Sequence, residues 1–133
     1  MKTIVLPVFV ALAIALTLIA QTEADYSGWM KDVGATKGKL TKGIAAKQNA
    51  DVATDADHLA GVFKQVGAFW ASRNASDAVT LAKTAETAAS DLATAAKTGD
   101  DAKMQSSLQA INGTCGACHM AHREGSGGNF KIK

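Results

Sequence analysis

Two thiols and an imidazole lie within five residues of one another in the stretch TCGACHMAHRE, residues 114–124 of a 133-residue chain. Cys115, Cys118 and His119 could form a disulfide, half a zinc site, a thioredoxin-like dithiol or a haem anchor. A disulfide between Cys115 and Cys118 would close a tiny loop inside a helix and add little, because the stabilisation grows with loop length. Zinc wants about four ligands, usually from two separated pairs, and beyond these three residues the only imidazoles are His58 and His122. A thioredoxin-like pair follows a strand and opens a helix, whereas this one falls late in a helical segment of a chain that reads as having no strands. Haem fits. Cys-x-x-Cys-His is the order for c-type attachment. Thiols at i and i+3 share one helix face, where both can form thioether links to the vinyl groups of one porphyrin. The following His119 then offers its imidazole to the iron as the proximal ligand. One such motif implies one haem c and its iron.

The elements that carry these residues start after a leader. Met1 and Lys2 give a positive start, Ile4 to Ala20 is an almost unbroken apolar run, and the more polar Gln21-Thr22-Glu23-Ala24 follows. This is the layout of a cleaved signal peptide, with the cut expected after Ala24. The alternative is an uncleaved anchor, since the run nears the roughly 18 residues of a membrane span. Residues 1–24 are therefore expected to be removed on export, placing the mature protein in the periplasm. Residues 25–133, about 109 in number, make one domain. Fourteen Lys and Arg against twelve Asp and Glu, intermixed, give a formal charge of +2. No basic stripe suggests a nucleic-acid partner. Few aromatics and many alanines favour helices over a sandwich of strands.

Four segments carry apolar residues at alternating spacings of three and four, the mark of helices sharing a core. They run from about Tyr26 to Lys47, Ala50 to Arg73, Ser76 to Lys97 and Asp101 to Arg123. Asn49 or Asp51, then Asn74 or Ser76, are expected to cap the second and third helices, and Thr98-Gly99-Asp100 to separate the third from the fourth. Connections this short make neighbours antiparallel. The expected fold is all-α, an up-down-up-down four-helix bundle with a flexible glycine-rich tail over about 125–133. Gly34, Gly38 and Gly43 in the first helix and a mostly alanine face on the third leave such a bundle underfilled. Either a flat apolar prosthetic group occupies the space, or small faces pack closely.

Antiparallel first and fourth helices bring Met30, about four residues into its helix, to the same end as His119, about five from the finish of its own. At 1.5 Å per residue both lie within roughly 8 Å of that end, so the Met30 thioether is the candidate distal iron ligand. Met104 falls at the far end and reads as core. His58 reads as a surface or boundary residue and His122 as a haem-edge or surface residue. Phe69, Trp70 and Leu81 are expected against the porphyrin, with a plain core role equally open.

Cys-Gly-Ala-Cys-His followed by MAHRE on the last helix resembles the class II c-type cytochromes, the cytochrome c prime superfamily. The opening WMKDVGATKGKL is similar to the first helix of its low-spin members, where the methionine is the sixth ligand. Arg123 matches the arginine that commonly follows the haem histidine by four places, and His122 stands where an aromatic is usual. The resemblance implies a covalent haem in a helical bundle and allows two functions. With His119 and Met30 both on the iron, the chain carries single electrons between redox partner proteins, exported or membrane-bound, and a homodimer is left open. With Met30 off the iron, the open site takes nitric oxide or carbon monoxide. No catalytic constellation of nucleophile and base appears, so the chain does not read as an enzyme.

Overall fold

The computed structural model describes residues 21–133. The apolar run read as a leader, Ile4 to Ala20, lies outside them. Four helices follow one another: α1 (Glu23–Ala45), α2 (Asn49–Ser72), α3 (Ser76–Thr98) and α4 (Asp101–His122). Two two-residue strands, β1 (Arg123–Glu124) and β2 (Lys131–Ile132), close the chain back on itself. The bundle is all-α in its architecture, as the periodicity predicts.

Cross-helix ion pairs fix the up-down order. Glu23 at the start of α1 meets Arg73 at the end of α2, 3.2 Å away, and His122 at the end of α4 meets Asp77 at the start of α3 at 2.7 Å. At the opposite end Lys47 pairs with Asp101. These pairs are exposed at one or both partners and add little stability each, but all three require antiparallel neighbours. The α2–α3 pair packs most closely, while α1 touches α4 only sparsely.

Each expected stripe is buried away from that sparse seam. Leu40, Leu59, Phe69, Leu92, Met104 and Ile111 are fully buried, and each such side chain contributes about 1.5–3 kcal/mol of transfer free energy. Met104 is core, as expected. Along α4 the stripe runs from buried Met104, Leu108 and Ile111 to half-buried Cys115 and Cys118. Burial is lost along α4 toward the end carrying the thiols.

Helix ends depart from the expected caps. The first three helices each close on a left-handed residue, Lys47 (φ 58°), Asn74 (φ 57°) and Gly99 (φ 73°). The next N–H then reaches back to the carbonyl of Gly43, Trp70 or Ala95, the closure that satisfies the last orphan carbonyls. Asn74 thus ends α2 and does not cap α3. The residues at the α2 and α3 N-cap positions, Gln48 and Ala75, make no side-chain cap, and Asn49 lies inside α2. Asp100 does cap α4, accepting from the Lys103 N–H at 2.9 Å. At α1, Thr22 and Asp25 form a reciprocal capping box, so the helix begins at Glu23, two residues ahead of the expected cut.

The segment after α4 is not the flexible tail expected over about 125–133. It forms a hairpin instead: Arg123 pairs with Ile132 and Glu124 with Lys131, antiparallel, and the Lys133 N–H donates to the His122 carbonyl at 3.1 Å. Gly125 is required there. Its φ is +97°, and a Cβ would fall 2.2 Å from the Asn129 carbonyl oxygen.

Candidate haem site

The space that the sparse α1–α4 seam leaves is an open, mostly apolar cleft. Cys115, Cys118 and His119 of α4 border it, and Met30 borders it from α1. The helical offset read from the sequence therefore holds: Met30 is brought to the end where the paired thiols and His119 lie. Val33, Phe63, Val66 and Leu81 supply apolar walls. Leu81 lines the cleft as expected. Phe69 and Trp70 do not. They border no part of it and pack against Tyr26 instead, Phe69 stacked on that ring at 4.7 Å and Trp70 edge-on at 5.5 Å. Tyr26, four residues before Met30 on the same helix face, takes the place expected of them.

A second, outer cleft adjoins the first. Tyr26, Met30, Cys118 and His119 border both. The outer space is enclosed by the start of α1, the end of α4 and the hairpin, which contributes Phe130, Lys131 and Ile132. His122 is at this edge. Its Nε2 is 2.7 Å from Asp77 Oδ2 and its ring 4.7 Å from that of Trp70. His58 is elsewhere, half-exposed and 2.8 Å from Asp32 Oδ2, the surface position expected of it.

Burial pushes both thiols up from their ordinary values, against a smaller opposing pull from Lys37 at Cys115. A dithiol exchanger needs the reverse, a thiol driven toward thiolate. Both cysteines are free, and among the described residues no three His, Cys, Asp or Glu side chains are placed to hold an ion. His119 is held below its usual range, by burial first and then by the charges of Arg123 and Lys37. Both effects favour the neutral imidazole, the form that ligates a metal.

The small residues fall in two kinds of place. A Cβ added to Gly34 meets nothing within 4 Å, and Gly34, Ala82 and Ala85 border the inner cleft. Gly43 differs: its added Cβ would lie 2.8 Å from Val52 Cγ2, so it lets α1 approach α2. Close packing of small faces therefore holds at Gly43. The donor set and the open apolar slot beside Gly34 fit a porphyrin.

A family described as Cytochrome C′ matches residues 17–123. No curated protein and no solved structure matches the chain.

Proposed function

This chain belongs to the cytochrome c′ family, whose members carry covalently bound haem c, and we propose that it is an exported electron carrier with one haem, joined to Cys115 and Cys118 and ligated by His119 and Met30. The family is one of electron carriers and ligand binders. The observation that carries the choice is the position of Met30, which borders both clefts together with Cys118 and His119.

Bound haem supplies an iron that exchanges one electron with a partner. The chain's own residues set the conditions. Burial and two nearby cations favour the neutral form of the His119 imidazole. Met30 offers a thioether, a soft neutral donor, and histidine–methionine ligation favours the reduced iron. Val33, Phe63, Val66 and Leu81 would give the group an apolar inner face. Met30 on α1 and His119 on α4 would hold the iron from two separate helices.

Export rests on the leader in the sequence, which points to the periplasm. Among the described residues no helix is long and apolar enough to cross a membrane. The expected partners are redox proteins, exported or membrane-bound. Visible spectra of both redox states, with and without carbon monoxide, test the reading. A low-spin spectrum unmoved by the gas is expected. A high-spin spectrum that shifts with carbon monoxide would overturn it in favour of gas binding.

A further inference from the structure

The two clefts that meet at Met30 and His119 differ in character. The inner one is walled by Val33, Phe63, Val66 and Leu81 with Lys37 as its single cation, and the outer one is bordered by three cations, Lys31, Arg123 and Lys131. None of these three cations is held in an ion pair among the described residues, although Lys131 faces Glu124 across the hairpin. Arg123 instead lies over the Phe130 ring, 4.1 Å from its centroid. Glu23, the acid bordering this cleft, is already engaged by Arg73 at 3.2 Å. The outer space therefore has positive charge in excess, next to apolar surface.

Haem c has the same two-sided chemistry. The edge joined to the thiols is apolar, and the other side carries two carboxylates. Cys115 borders only the inner cleft and Cys118 the boundary of the two, while no cysteine lies among the cations of the outer cleft's far side, an arrangement that suits a thioether edge turned inward and carboxylates turned outward. We propose that Lys31, Arg123 and Lys131 receive the haem carboxylates in the outer cleft, so that the hairpin β1–β2 is part of the haem site. This rests on the covalent haem of the proposed function. Lys131 lies beyond the residues matched by the family, 17–123, and reaches the cleft only because β2 pairs back on β1. Charge-assisted bonds from ammonium and guanidinium groups to carboxylates are the strong class of hydrogen bond.

The test compares Lys131→Glu and Lys31→Glu/Lys131→Glu with Lys42→Glu, a control in the last turn of α1 at the far end. Covalent haem is measured by pyridine haemochrome after denaturation. The haem propionate methylene protons are followed by paramagnetic NMR of the ferric protein, and the midpoint potential by titration. Lys131→Glu alone is expected to keep its covalent haem, move the propionate methylene resonances and lower the potential. Lys31→Glu/Lys131→Glu should do so further, and Lys42→Glu should do neither. Lys131→Gln, which changes charge less, should move the resonances the same way by less. Normal covalent haem with unmoved propionate resonances in the Lys131 variants would overturn this inference while leaving the electron carrier intact, even if reaction with ferricyanide slowed, since the cations would then serve an anionic partner. Absence of covalent haem in the unaltered chain would instead remove the proposed function.

Discussion

Met30, near the start of α1, and His119, near the finish of α4, border the same two clefts at one end of the bundle. They come from helices that otherwise touch little. That sparse seam separates this bundle from one closed by side chains alone, and it puts a thioether and an imidazole on a shared space.

Replacing Met30 by Ala removes the thioether and leaves the rest of α1 in place. The optical spectrum is expected to change from low-spin to high-spin, and the ferrous protein to take up carbon monoxide. A low-spin spectrum in Met30→Ala would show that some other group holds the sixth position.

The glycines of α1 make opposite predictions. A methyl at Gly38 meets nothing within 4 Å, so Gly38→Ala should raise stability by about 1 kcal/mol through helix propensity alone. A methyl at Gly43 would press on Val52 at 2.8 Å, and overpacking of this kind costs about 1–3 kcal/mol. Gly43→Ala should therefore lower the denaturation midpoint although alanine is the better helix former. Thermal melts of both variants decide the matter, and equal midpoints would show that α1 and α2 do not approach at Gly43.

The bundle was largely legible because its helices repeat one signal. A stripe at spacings of three and four survives in every segment, and the observed bounds fall within about three residues of those read from it. The ends were less legible. Asn74 looks like an N-cap, but the turn after α2 needs a left-handed residue, which asparagine also supplies. Thr22 and Asp25 have the spacing of a capping box, which the leader reading obscured. At the site, the thiols and His119 are one local motif and Met30 follows from helix geometry. Tyr26 and Gly34 were within reach too, each four residues from Met30 on one face. The hairpin was not legible: two-residue strands have no period, and a glycine run reads as a linker until long-range pairing closes it.

Acid should weaken the contact at the haem end in a defined sense. The hydrogen bond from His122, with a smaller contribution from the Ala78 N–H, holds the Asp77 carboxyl below its usual range. In the unfolded chain this group takes a proton near pH 4. Its contribution is complete above that pH and is lost as pH falls below it through the lower folded value. Asp77→Asn should be less stable than the parent at pH 6, and the difference should shrink below about pH 4. A difference that stayed constant or grew on acidification would place the effect elsewhere.

The covalent bond between haem and chain is tested most directly by extracting the purified protein, made in cells able to mature c-type cytochromes, with acidified acetone. Thioethers at Cys115 and Cys118 survive that treatment, so the colour is expected to stay with the precipitated polypeptide. Haem passing freely into the acetone, leaving a colourless chain, would contradict the account at its base.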